Sequence, residues 1–372
     1  MGWVSETETA DSPDTAPVSK MFGLARWAVA IPVLGLFATI AGKPGSATIA
    51  VMLALLLGAS ILAAVYHAEK IAGYLGEPFG TLVLALAVTV IETSLIVSIM
   101  LSEGSGAQAL ARDTLISAIM ITINGIVGLC LLIGAQRYYE QAYTQSGVSY
   151  GLAMLATLSV LTLVLPNFTI SERGPFYTGS QLGFVAVISL IVYATFVVAQ
   201  TIRHRDHFLH KGIAADHAPV PARTARAAGL LLVLALIAVV LLAKALSPVI
   251  EAGVEYIGAP AAVVGIVIAG LVLAPEGFAA LRAARSNQLQ TSLNLAIGSA
   301  LATIGLTIPA VAVTALVLGL DLELGLSMRG IVLLSLTLLV ATITLGTGRT
   351  TMVQGVIHLV IFATFLFTSL VP

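Results

Sequence analysis

Eleven long apolar segments, separated by short polar gaps, dominate the sequence of 372 residues. A helix that crosses the hydrocarbon core of a membrane needs about 20 mostly apolar residues. The apolar runs are continuous rather than alternating, which favours helices over the strands of a membrane barrel. The sequence therefore predicts an all-α polytopic membrane protein in contact with lipid, with transmembrane helices at residues about 24–42, 47–66, 79–102, 113–135, 149–165, 180–201, 227–246, 259–281, 290–317, 329–346 and 352–371.

The composition excludes several other classes of protein. Charged residues make up 9% of the chain, whereas a soluble domain carries about 25%. So few charges cannot cover a water-facing surface. A nucleic-acid binder would need a basic footprint, and the net charge of −1 gives none. The single cysteine, Cys130, excludes an internal disulfide and a cysteine-based metal site.

The N-terminal residues 1–23 are polar and acidic, and we predict a disordered tail there. A secretory signal would begin basic and then turn apolar. Because this tail does neither, the first apolar segment, 24–42, is expected to remain as a leading transmembrane helix.

The positive charges predict the orientation of the chain in the membrane. If the N-terminal tail and every second loop face one side, that side holds 12 of the 17 Lys and Arg residues. Cytoplasmic loops carry the excess of Lys and Arg. The N-terminus is therefore expected in the cytoplasm and the C-terminus outside.

The ten helices after the leading one form two sets of five, offset by roughly 180 residues. Five is an odd number, so the second set must insert upside down relative to the first. Inverted halves are typical of secondary transporters, whose substrate site lies between the repeats near the middle of the membrane. The predicted plan is repeat 1 at 47–201, a cytoplasmic linker at 202–226, and repeat 2 at 227–371.

Two glutamates lie within apolar helices, at matching places in the two halves. Glu92 and Glu276 each belong to the second helix of a half, 184 residues apart. A charge at the bilayer centre costs about 2.5–3.5 kcal/mol on insertion scales, and no Lys or Arg lies centrally in any predicted span. The carboxylates must then be protonated or hold a cation from solution. The alternative is that both are protonated packing residues.

The neighbours of these glutamates suggest how a site could be built around them. Thr89 lies three residues before Glu92, on roughly the same helix face. Pro275 and Gly277 flank Glu276 and predict a broken helix, which in transporters lines a cavity.

The third helix of each half adds further candidate oxygen ligands. These are Asn124 in the first half, and Ser299 and Thr303 beside Gly298 in the second. Hard cations take oxygen ligands from carboxylate, amide, hydroxyl and carbonyl groups. The alternative is that these small polar residues only join neighbouring helices.

Histidines mark the linker and the last helix. His204, His207 and His210 recur every three residues, so on a helix they would share one face and could form a pH or metal sensor. The alternative is a solvated basic linker near anionic lipid. His358 lies in the last span, and we interpret it as a helix-contact residue. The alternative is a role in proton relay.

Three stretches carry a family resemblance: Gly80 to Glu92 (GTLVLALAVTVIE), Leu271 to Gly277 (LVLAPEG) and residues 296–300 (AIGSA). They resemble the cation/calcium exchanger superfamily. Within it, the resemblance is to the bacterial ChaA-like branch of calcium/proton and sodium(potassium)/proton antiporters. It implies eleven helices, with one leading helix and two inverted five-helix repeats. It also implies that Glu92 and Glu276 bind the ion and carry the proton, and that the protein lies in the bacterial inner membrane.

The resemblance predicts a cation/proton antiporter that exports Ca²⁺, Na⁺ or K⁺ by alternating access, without a cofactor and without enzymatic activity. Calcium/proton exchangers of this superfamily commonly carry Asn three residues before each glutamate, whereas this chain has Thr89 and Leu273. A calcium site takes about 6–8 oxygens. The open alternatives are therefore a monovalent Na⁺ or K⁺ antiporter that does not carry calcium, and a passive cation channel. The sequence leaves the oligomeric state open.

Overall fold

The computed structural model describes residues 20–21, 23–40, 46–76, 79–103, 108–208, 220–256, 258–260 and 262–371. Most of the predicted disordered tail lies outside these residues. Within these residues eleven helices follow one another, in the predicted number and order. They are α1 Arg26–Ile40, α2 Ala47–Leu75, α3 Phe79–Glu103, α4 Leu110–Tyr138, α5 Gln145–Phe168, α6 Gly179–Arg203, α7 Ala222–Tyr256, α8 Ala262–Arg285, α9 Leu289–Leu318, α10 Met328–Leu345 and α11 Met352–Leu370.

The helices have the length and composition of membrane spans. Within the described residues, nine are long and apolar enough to cross a bilayer, and α1 and the Leu86–Leu101 stretch of α3 are shorter apolar helices. Large apolar side chains such as Phe37, Phe184 and Phe278 point outward and are about two-thirds exposed. Lipid tails can cover such a surface at no cost, whereas water cannot. The protein is therefore an integral membrane protein.

Two helices are much longer than the predicted spans. Helix α2 continues to Leu75 rather than ending near residue 66, and α7 covers Ala222–Tyr256 rather than 227–246. Apolar patterning reports only the part of a helix inside the hydrocarbon core, whereas backbone hydrogen bonds continue beyond it. The predicted linker 202–226 is shorter for the same reason, since α6 ends at Arg203 and α7 begins at Ala222.

The described part of the chain contains two short antiparallel strand pairs, which the sequence did not predict. Strand β1 (Lys20–Met21) pairs with β2 (Leu24–Ala25), just before α1. Strand β3 (Gln141–Ala142), after α4, pairs with β4 (Arg349–Thr350), after α10. The second pair places the C-terminal ends of α4 and α10 side by side, which is consistent with the predicted topology.

Helices α4 and α9 form the centre of the fold. In α4, 78% of the apolar window is buried inside the protein, and in α9 the figure is 61%, against 44% or less in the other seven spans measured. These are the third helices of the two predicted halves. The helices that carry the candidate oxygen ligands are therefore the ones most shielded from lipid. The assignment of inverted repeats itself stays a prediction.

The packing of α8 on α4 gives a first testable prediction. A Cβ at Gly265 would lie 2.8 Å from the backbone carbon of Asp113 and 2.9 Å from the backbone nitrogen of Thr114. We expect Gly265→Ala to lower the melting temperature of the purified protein, because overpacking against backbone costs about 1–3 kcal/mol.

The matched control lies on the same helix. A Cβ at Gly270 would meet only the end of the Ile121 side chain, at 3.9 Å. Gly270→Ala should therefore keep the parent melting temperature in detergent. Equal thermal stability of the two variants would contradict the close approach of α8 to α4.

Candidate cation site

Glu92 is fully buried in α3, with only 1% of its surface exposed. Its Oε2 accepts a hydrogen bond of 2.7 Å from the hydroxyl of Thr303 on α9. Its Oε1 is buried and has no hydrogen-bond partner among the described residues. One carboxylate oxygen is thus held by the protein, and the other is available to a proton or a cation.

Glu276 lies just past the middle of α8 and is also buried. The hydroxyl of Ser299 on α9 donates a hydrogen bond to its Oε2. Each glutamate is therefore bound by a hydroxyl from α9, although they come from different halves of the chain.

The two hydroxyls bring the carboxylates together. Ser299 and Thr303 are four residues apart on α9, so they lie on one face with Cβ atoms about 5–6 Å apart. Because each hydroxyl holds one carboxylate, the side chains of Glu92 and Glu276 meet along the same face of α9. Thr307, one turn further on, contacts the hydroxyl of Thr93 on α3 at 3.1 Å and so fastens α3 to the same face. The structure places both glutamates, Ser299 and Thr303 at one buried site.

Two other predicted residues lie beside this site. Thr89 is buried on α3, one turn before Glu92. Gly298 precedes Ser299, and a Cβ there would lie 3.9 Å from the Phe196 ring, in ordinary contact. Their roles as ligand and packing residue stay predictions.

The predicted break at Pro275 is wrong. Helix α8 continues without interruption from Ala262 to Arg285, with Pro275 inside it. Proline lacks one N–H and so removes one hydrogen bond, to the carbonyl of Leu271, while the bonds on either side hold the helix. Gly277 has a packing role instead, because a Cβ there would lie 3.2 Å from Cδ1 of Ile126 on α4.

The irregular helix near the site is α4. A π-helical turn at Met120–Ile126 replaces α-helical geometry in its middle, and π turns often occur at functional sites. Asn124 lies in this turn, but its amide does not bond to a glutamate. Its Nδ2 donates to the Thr337 hydroxyl at 2.8 Å, and its Oδ1 is 3.0 Å from Nδ1 of His358.

His358 makes the contacts expected of a helix-contact residue. Its imidazole joins α11 to α4 through Asn124 and to α10 through the Thr344 hydroxyl at 2.8 Å. Thr337 and Thr344 were not predicted. Their spacing of seven residues places both on one face of α10, but threonine is too common in membrane helices for that spacing to single them out.

The linker histidines are only partly described. The rings of His204 and His207 stack with centroids 5.5 Å apart and planes at 15°. They are not on one face of an α-helix, because His204 follows the end of α6 and His207 lies in a short 3₁₀ turn. His210 lies outside the described residues. The sensor hypothesis stays a prediction.

The donor set limits what the site could hold. Across the described part of the chain, no group of three or more His, Cys, Asp and Glu residues comes together. A bound cation would therefore be neutralised by the two carboxylates and completed by uncharged oxygens, such as the hydroxyls of Ser299 and Thr303. Such all-oxygen sites suit hard cations.

Comparison with known sequences shows close relatives. The family model for "Sodium/calcium exchanger protein" matches residues 45–202 and 227–371. A protein of Sinorhizobium fredii, provisionally named as an ionic transporter, is 48% identical over 88% of this chain and 90% of its own length. The sodium-potassium/proton antiporter ChaA of Escherichia coli is 37% identical over 86% of this chain and 88% of its own length.

Comparison with solved structures shows the same fold. The H⁺/Ca²⁺ exchanger CAX superimposes with a TM-score of 0.71 at 16% identity, over 91% of this chain and 87% of the other. Native YfkE gives a TM-score of 0.70, also at 16% identity, over 93% and 99% of the two chains. At this identity the likeness establishes the fold alone, and it confirms the predicted fold class.

The hydroxyl on Glu92 gives a second prediction. Thr303→Val keeps the shape of the side chain and removes the donor to Glu92. We expect it to weaken cation binding by about fivefold, the effect of one hydrogen bond. Binding is measured as the dissociation constant that fits the rise of the melting temperature with cation concentration in detergent.

Thr314→Val on the same helix is the control. The Thr314 hydroxyl bonds to its own backbone at Ala310, 2.9 Å away, so this variant should bind cations as the parent does. Unaltered binding by Thr303→Val would show that the hydroxyl is only a helix contact.

Proposed function

Because the chain belongs to the sodium/calcium exchanger protein family, we propose that it is a secondary active antiporter that exports cytoplasmic cations in exchange for protons. As a member of this family it is a membrane transporter and not an enzyme. The observation that supports the proposal most strongly is the meeting of Glu92 and Glu276 on one face of α9.

The proposal follows from the electrostatics of the pair. Among the described residues, no salt bridge reaches Glu92 or Glu276. Two ionised carboxylates side by side in a membrane interior repel each other and lack the stabilisation of water. The site is stable when protons or a cation neutralise it and unstable when empty. A site that cannot be empty exchanges one occupant for the other.

The two hydroxyls suit such an exchange. A serine or threonine hydroxyl carries one donor hydrogen and two acceptor lone pairs. Ser299 and Thr303 donate to the carboxylates in the present structure, and by rotating the hydrogen away each can offer its oxygen to a cation. The protein then changes its hydrogen bonds with little movement of α9.

Alternating access would expose this site to one side of the membrane at a time. In the proposed cycle the carboxylates bind a cation from the cytoplasm, the core reorients, and external protons displace the cation. The two inverted repeats, 47–201 and 227–371, would supply two related conformations. The protein would lie in the bacterial inner membrane, with its N-terminus in the cytoplasm and its C-terminus outside, and the inward proton gradient would drive export.

We propose Na⁺ and K⁺ as cargo. Leu273, one turn before Glu276, is buried and offers no side-chain oxygen, and the relative with 37% identity is named as a sodium-potassium/proton antiporter. Ca²⁺ is the second candidate, because two adjacent carboxylates match a divalent charge. A more distant relative supports Ca²⁺. This protein of Aphanothece halophytica, named as a Ca²⁺/H⁺ antiporter, is 22% identical over 72% of this chain and 77% of its own length.

Reconstitution into proteoliposomes tests the transport proposal. Vesicles with an acidic interior are supplied with Na⁺, K⁺ or Ca²⁺ outside, while one dye follows internal pH and another follows the cation. An antiporter gives cation uptake together with internal alkalinisation. Cation flux that is independent of the pH gradient would instead support a passive channel.

The glutamates give the third prediction. Glu92→Gln and Glu276→Gln each keep the side-chain shape and remove the exchangeable charge, so we expect each to abolish exchange in this assay without loss of folded protein. Glu172, exposed in the α5–α6 loop, supplies the control, and Glu172→Gln should exchange normally. Exchange that survives in both site variants would remove the pair from the mechanism.

The missing oxygen at Leu273 gives the fourth prediction. Leu273→Asn adds an amide oxygen one turn before Glu276, and we expect the preference for Ca²⁺ over Na⁺ to rise, since Ca²⁺ takes more oxygen ligands. Leu273→Met, which changes the shape but adds no oxygen, is the control. The ratio of the two exchange rates is measured, and an equal ratio in the two variants would contradict this explanation of selectivity.

A further inference from the structure

A second buried polar network joins α4 to α10 and α11. Its members are Asn124, Thr337, Thr344 and His358, which are at most 6% exposed. The distances of 2.8–3.0 Å between their polar atoms are those of well-formed hydrogen bonds. Neither glutamate belongs to this network.

The donors and acceptors around Asn124 can be assigned. The Thr337 hydroxyl donates to the backbone carbonyl of Leu333 at 2.8 Å, so toward Asn124 it acts as an acceptor. The Asn124 amide nitrogen therefore faces Thr337, and the amide oxygen faces His358. Because that oxygen can only accept, Nδ1 of His358 carries the hydrogen of this bond.

Close backbone contact holds His358 in place. A Cβ at Gly355 on α11 would lie 2.6 Å from the backbone nitrogen of Leu132 and 2.9 Å from the carbonyl oxygen of Gly128. A Cβ at Gly128 would lie 3.0 Å from Cβ of His358. Because these glycines let α11 lie directly against α4, the imidazole reaches the π turn of α4 from a fixed position.

The π turn connects this network to the glutamate pair. Asn124 lies in the turn, and the turn ends at Ile126. The end of the Ile126 side chain fills the space beside Gly277, where a Cβ would lie 3.2 Å away. Gly277 is the residue next to Glu276. A shift of the π turn would therefore press on, or open, the segment of α8 that carries Glu276.

We propose that His358 is a positioning residue for transport, which fixes the π turn of α4 through the Asn124 amide and so sets the place of Glu276. The inference rests on the proposed cation/proton exchange, but it concerns a residue outside the ion site. It assigns to Asn124 an indirect role in place of direct cation ligation.

Two substitutions of His358 separate its two hydrogen bonds. The amide nitrogen of Asn occupies the place of Nδ1, so His358→Asn can still donate to Asn124. The longer Gln places its amide near Nε2, so His358→Gln keeps a partner for Thr344 and loses the bond to Asn124. Both variants are polar and uncharged, and both remove the ring.

Three quantities are measured for both variants. They are the apparent KM for the cation, the maximal exchange rate per folded protein, and the dissociation constant that fits the rise of the melting temperature with cation concentration in detergent. We expect His358→Gln to raise both KM and this dissociation constant by about fivefold, the effect of one hydrogen bond. His358→Asn keeps the bond to Asn124, so both values should stay within about twofold of the parent.

Equal KM values and equal dissociation constants in the two variants would overturn the proposal, whether both variants match the parent or both are impaired. A reduced yield of folded protein with parental KM in His358→Gln would overturn it as well, since it would show a purely structural role. If the parent protein shows no exchange, the proposed function fails. The dissociation constants of the two variants still test whether His358 positions the cation site.

Discussion

The burial of two carboxylates in a membrane interior, with no basic side chain to neutralise them in the described structure, is the constraint on which the rest of this protein depends. Either charge alone would oppose insertion by several kcal/mol. Two hydroxyls on α9 donate hydrogen bonds to the carboxylates, Ser299 to Glu276 and Thr303 to Glu92. In the proposed mechanism mobile ions neutralise the remaining charge, which would couple the binding of cations to the binding of protons.

The arrangement of helices serves this site. The two most buried helices, α4 and α9, lie at its sides. Helix α9 contributes the hydroxyls, while α4 contributes a π turn whose last residue, Ile126, packs beside Gly277. The contacts of α4 with α10 and α11, through Asn124 and His358, then hold that turn. A buried site of a few oxygens is thereby built and supported by side chains from six helices, α3, α4, α8, α9, α10 and α11.

The sequence predicted the features that have a large energetic cost or gain. Apolar length fixes the spans, and a buried charge without a partner identifies Glu92 and Glu276. The finer features were not predictable. Asn124 has the same chemistry as a ligand and as a helix contact, and only the position of His358 on a distant segment distinguishes the two. The break expected at Pro275 did not form, because one missing hydrogen bond does not interrupt a packed helix, and the π turn in α4 has no marker in the sequence.

The central claim is that cations and protons compete for the same two carboxylates, and proton release measures this competition directly. Purified protein in weakly buffered detergent solution is titrated with Na⁺, K⁺ or Ca²⁺ while a dye reports pH. The parent protein should release protons as the cation binds, and a variant with Gln at both Glu92 and Glu276 should release none. Cation binding by the parent without proton release, or equal release from the double variant, would contradict the account.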